Sequence, residues 1–175
     1  MANIGAAEAR PLSAGDIMRM LPGTRIWTEP QLAGMQLADA LGRDGSCVIL
    51  IPVTTPTNGH WVCLWDAGPH IEWFDPYGMG VDVGLQRYVS PAARRRLHET
   101  QPNVLDMLMR QDKPVLVSHG HFESMRPDID TCGRHVCVRL LHRNLDDSEY
   151  ARFIYGQGAN ADAVVTTITR RLIGH

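Results

Sequence analysis

Apolar positions fall in two periods along the chain. Val48-Ile49-Leu50-Ile51-Pro52-Val53 is a continuous apolar run, the mark of a central strand covered on both faces. His60 to Asp66 and Ile71 to Asp75 read as a second and a third strand, with Ala67-Gly68-Pro69 as the hairpin turn and Pro76-Tyr77-Gly78 as the stop. Pro114 to Ser118 reads as a fourth. Elsewhere the spacing is helical. Ser13 to Asp16 opens a helix with Ile17, Met18 and Leu21 inward, and Pro22-Gly23 stops it. Pro30 opens another, burying Leu32, Met35, Leu37, Ala38 and Leu41. Further helices are expected over 91–99, over 103–110, from Cys132 to about Asn144, behind Ser148-Glu149-Tyr150 as far as Gly156, and over 161–173. Residues 1–12 lack a period and read as an N-terminal arm. With no repeat or linker, the pattern predicts one α+β domain over 1–175, a central mixed sheet flanked by helices.

Composition removes several classes. At 175 residues and 44% hydrophobic, the chain can build a core and is neither disordered nor fibrous. A net charge of −2 selects no polyanionic partner, and Arg94-Arg95-Arg96 and Arg170-Arg171 read as solvated helix faces. The longest apolar run, Cys47 to Val53, is too short for a bilayer, and no membrane partner is expected. Cys47, Cys63, Cys132 and Cys137 follow no signal peptide, so they read as thiols of a reducing compartment, in a protein that is not secreted.

One cysteine sits where chemistry is expected. Asp128-Ile129-Asp130-Thr131-Cys132-Gly133-Arg134-His135-Val136 reads as a loop turning into a helix, with Asp128, Asp130 and Thr131 as cap-type residues. A thiolate at Cys132 would gain from the helix N-terminus, which lowers a thiol pKa. Gly133 leaves space beside the sulfur for a substrate backbone. A cysteine nucleophile needs a base and a group to orient it. His60, at a loop-to-strand junction, is the candidate base. Asp75, at the end of the neighbouring hairpin strand, is the candidate orienter. Trp61 and Trp73 read first as core. His135 and Cys137 do not share a helix face with Cys132, and no second Cys/His cluster follows, so no metal or other cofactor is expected.

Gly59-His60-Trp61, Trp73-Phe74-Asp75-Pro76-Tyr77-Gly78 and Thr131-Cys132-Gly133-Arg134-His135-Val136, in that order, resemble the adenain-like cysteine proteases. These include the adenovirus maturation protease, its relatives in large DNA viruses and virophages, and the SUMO-deconjugating proteases. The resemblance covers about residues 46–145. With the tail Asp162-Ala163-Val164-Val165-Thr166 it lies nearest the branch in large DNA viruses. It implies a papain-related fold, with His60 as base, Asp75 as orienter, Cys132 as nucleophile, and Trp61 lining the groove. It implies a thiol peptidase that cuts viral structural or precursor polypeptides after a Gly-containing motif during particle maturation. The setting would be the virion or the host cytoplasm or nucleus. Whether an activating peptide or nucleic acid is required, and the oligomeric state, stay open. One departure stands out. The family places an oxyanion-hole Gln shortly before the cysteine, but none occurs between Lys113 and Cys132. Arg126, Glu123 or Ser124 takes that position, depending on loop length. Two rival functions follow: a ubiquitin-like-modifier deconjugase or effector acyltransferase with a similar triad, and a weakly catalytic relative that only docks peptides.

Overall fold

The computed structural model describes residues 4–83, 89–97, 101–158 and 160–173. Strands β1 (Arg25–Thr28), β2 (Ser46–Thr55), β3 (Asn58–Asp66), β4 (Ile71–Phe74) and β5 (Val115–Val117) form one sheet in chain order. β2, β3 and β4 are an antiparallel meander, and β1 and β5 add to its two edges in parallel. The sheet is therefore mixed, as expected of an α+β chain.

The pleat sends alternate side chains to opposite faces. Val48, Leu50, Trp61, Cys63, Trp65 and Phe74 join a core under α2 (Ala14–Met20), α6 (Cys132–Leu141), α7 (Asp147–Tyr155) and α8 (Ala161–Ile173). Cys47, Ile49, Ile51, Val62, Leu64 and Trp73 join another, under a 3-10 turn (Glu29–Leu32), α3 (Leu37–Ala40), α4 (Pro91–Arg96) and α5 (Asn103–Met109). Burial on both faces is why β2 reads as an unbroken apolar run. All four cysteines are buried and free. No helix among the described residues is long and apolar enough to cross a membrane.

Several expectations are corrected. β1 lacks a strong apolar run, because none of its side chains is fully buried. The helix expected after Pro30 is divided into the 3-10 turn and α3, since Gly34 between them takes φ 71°. On α2, Ile17 and Met20 face inward, and Leu21 at its end is buried as expected; Met18 is instead 60% exposed. α7 starts from Asp146, which forms a reciprocal cap with Glu149, rather than from Ser148. α6 stops at Leu141, short of Asn144. The positions expected at the end of α4, 98–99, lie outside the described residues. The arm contains a helix, α1 (Ile4–Glu8), docked against α8. It is held by Arg134, which donates to the carbonyls of Ala7 (3.1 Å) and Arg10 (3.4 Å), and by the Asp130 N–H, which donates to the Glu8 carbonyl (2.8 Å).

Candidate active site

His60 is mounted near the start of β3, opposite Ile51 of β2. The two strands approach so closely there that a Cβ on Gly59 would lie 1.9 Å from the Ile51 carbonyl oxygen, which explains the glycine before the histidine. The β3–β4 ladder ends at the pair Cys63–Phe74, so Asp75 continues alongside β3 just beyond it. Its Oδ1 lies 2.8 Å from His60 Nε2, and both side chains are buried. The same oxygen accepts the Tyr77 N–H at 2.8 Å, and the Tyr77 ring stacks on the imidazole with centroids 4.5 Å apart at 13°. A carboxylate accepting at Nε2 keeps the proton on that nitrogen, which leaves Nδ1 as the basic one.

Cys132 is the first residue of α6. Its Sγ, a ring nitrogen of His60 and a carboxylate oxygen of Glu123 all lie within 4.8 Å of one another. The imidazole is held by Asp75 and one Glu123 oxygen by the Thr131 N–H, commitments that suit a proton-relay site. A cleft of about 510 Å³ opens here, lined by Asn58, Gly59, His60, Tyr77, Asp130 and Cys132 among others. A second groove of about 440 Å³, lined by Leu12, Ile26, Trp27, Leu50 and Trp61 among others, shares Asn58, Gly59 and Asp130 with it.

The thiol differs from expectation. Burial pushes it well above the ordinary thiol range, and Glu123 and Asp130 push the same way. The backbone N–H groups of Trp61 and Gly133 oppose them and are outweighed. At rest the sulfur keeps its proton, directed at Asp130 Oδ1 3.9 Å away. Nor do the expected cap residues cap α6. Thr131 stands at the cap position, but its hydroxyl donates instead to Asp162 Oδ1 at 2.5 Å. His135 pairs with the same oxygen at 3.0 Å, inside the core.

The three candidates for the position before the cysteine separate. Arg126 is exposed and is taken up by Asp128 through its Nε at 3.0 Å. Ser124 turns its N–H to Asp162 Oδ2 at 3.1 Å. Glu123 alone reaches the sulfur, buried, with Oε1 accepting the Thr131 N–H at 2.9 Å. Trp61 is buried, and its indole N–H donates to the Leu12 carbonyl at 3.2 Å. A Cβ on Gly133 would meet Trp61 Cδ1 at 3.1 Å and Leu12 Cβ at 3.2 Å. The space beside that glycine is thus filled by the chain itself.

No protein-family model matches the chain. Over 169 residues it is 30% identical to the uncharacterized protein V9 of Sputnik virophage, an alignment spanning 93% of this chain and 95% of that protein. The chain belongs to the family of protein V9.

Sequence reasoning missed three residues in this member of the V9 family. Tyr77 lies in the Trp-Phe-Asp-Pro-Tyr-Gly stretch, and its place two residues after Asp75 was the available signal. Asp130 reads as a helix cap, yet it lines both grooves and faces the thiol. Leu12 falls in the unpatterned arm, and no local signal marks it as the cover on Trp61 and Gly133.

Proposed function

We propose that the protein is a thiol peptidase of adenain-like, papain-related type, with Cys132 as nucleophile, His60 as base and Asp75 as orienter. The observation that carries the reading is the meeting of a buried His60–Asp75 pair with a cysteine at a helix start, beside an open cleft. Because the resting thiol is protonated, its proton passes to His60 Nδ1 as sulfur attacks the scissile carbonyl. Collapse of the tetrahedral intermediate moves that proton to the leaving amine and leaves an acyl-thioester on Cys132. His60 then draws a proton from water, which attacks the thioester and restores the thiol. The substrate in this reading is a polypeptide, a viral structural precursor, and the relation to a virophage protein supports the viral setting alone.

Two measurements test this. A thiol-directed peptide vinyl sulfone should label Cys132, and His60→Ala should slow labelling by roughly 10²-fold or more. Equal labelling of both proteins rejects activation by His60. Mass spectrometry of a candidate capsid precursor, incubated with wild type and with Cys132→Ala, should find cleavage with wild type alone. Cleavage of a ubiquitin-like fusion with the precursor left intact would instead support a deconjugase.

A further inference from the structure

The reaction above puts negative charge on the carbonyl oxygen, beside a site already rich in carboxyls. Asp130 from the loop, Asp162 from α8 and Glu123 itself surround Thr131 and Cys132 where the loop enters α6. His60 of β3 faces them, and it becomes their cationic counterpart only when it takes the Cys132 proton. An ionised Glu123 would therefore repel both the thiolate and the oxyanion. The geometry of this side chain argues for another state. Oε1 is pinned by the Thr131 N–H at 2.9 Å, which fixes the carboxyl plane. Oε2 is buried and has no hydrogen-bond partner among the described residues. A buried oxygen without a partner is costly unless something arrives to meet it.

Resting on the peptidase reading, we infer that Glu123 works as a neutral acid, whose Oε2–H donates a hydrogen bond to the oxyanion formed when Cys132 attacks. As the S–C bond forms, the carbonyl π electrons move to oxygen, and the Glu123 proton is shared with it. The proton stays on Glu123 when the oxyanion collapses and the C–N bond breaks. The backbone N–H groups facing the sulfur supply the rest of the oxyanion's environment. Desolvation raises the Glu123 carboxyl to about 7, with Asp162 and Asp130 acting in the same direction and His60 and the Thr131 N–H against it. The donor is therefore present below neutrality and lost above it. This ties the activity of the site to a mildly acidic setting, a form of regulation that an amide in the same place cannot provide.

The test uses the full chain and a hydrolysable probe, an N-acylglycine 4-nitrophenyl ester, with iodoacetamide alkylation of Cys132 alongside. Alkylation displaces iodide and forms no oxyanion, so it reports the thiol alone. Below pH 7, Glu123→Ala should hydrolyse the ester roughly 10²–10³-fold more slowly than Glu123→Gln. The two variants should alkylate within about threefold of each other, since each lacks the charge. Wild type should lose ester turnover with a midpoint near pH 7. In Glu123→Gln, whose amide keeps the acceptor for Thr131 and cannot ionise, that limb should move up by at least one pH unit. Equal hydrolysis by the Ala and Gln variants overturns the donor role. So does a Gln variant inactive at every pH but normally alkylated, which would mean that the carboxylate is needed. If Glu123→Ala does not fold, the wild-type and Gln pH profiles decide alone. Absence of Cys132-dependent ester turnover in wild type would instead remove the peptidase reading, and this inference with it.

Discussion

Single atoms carry most of the site. Asp75 Oδ1 accepts from both His60 Nε2 and the Tyr77 N–H, so one oxygen fixes the imidazole tautomer and the turn that carries its stacking partner. Tyr77 covers the face of the ring at 4.5 Å, and a histidine so clamped has little rotational freedom left. Two substitutions separate these effects. Asp75→Asn keeps the shape but can present an N–H to Nε2, which favours the wrong tautomer. Its ester turnover should fall roughly 10²–10⁴-fold. Tyr77→Ala removes the stack alone and should cost about tenfold in turnover, while Tyr77→Phe, which keeps the ring, should lose far less. If Tyr77→Ala matched wild type in a pH–rate profile, the stacked ring would have no part in placing the base.

Between elements, the cysteine loop is held from behind by α8. Asp162 accepts from the Thr131 hydroxyl, from His135 and from the Ser124 N–H, and so ties together both ends of the segment from Glu123 to Cys132. Asp162→Ala would leave three donors without an acceptor. The expected loss is roughly 2–4 kcal/mol by urea unfolding, with faster proteolysis within 123–131. Asp162→Asn, which keeps part of the acceptor capacity, should lose less. Unchanged stability in the alanine variant would mean that the loop is held otherwise. This network also marks where reading the sequence stops. The strands β2, β3 and β4 were legible, because burial on both faces leaves an apolar run and the hairpin leaves Gly-Pro. His60, Asp75 and Cys132 were legible as candidates because each stands at an element boundary. Thr131 was not, since its local role as a cap loses to a carboxylate 31 residues away. The Cys132 thiol departs from its local reading for a related reason: a helix start acts locally, whereas burial and the Glu123 carboxyl are set by the tertiary fold. β1 escaped because an edge strand that is only partly covered carries no pattern to read.

At the scale of the whole molecule, the same buried carboxyl couples folding to pH. Glu123 is raised from near 4.5 to about 7, chiefly by burial, so the folded chain holds a proton that the unfolded chain releases. Its contribution is complete below about pH 4.5 and is lost as pH climbs through 7. Asp82, which takes the Leu105 N–H at 2.8 Å and is raised by burial to about 6, acts in the same sense. His135 opposes both. Burial lowers it, so the unfolded chain binds the extra proton and stability is lost as pH falls below the ordinary histidine range. The wild-type melting profile thus mixes opposing slopes, and only a difference isolates Glu123. Glu123→Gln keeps the acceptor for the Thr131 N–H and has no proton to lose. Between pH 5 and pH 8, wild type should weaken relative to this variant on the order of 1–3 kcal/mol. The melting temperatures would separate as pH rises. Parallel melting curves across that range would mean that Glu123 is ionised in the folded protein throughout, and that the cleft accommodates a second charge beside its sulfur.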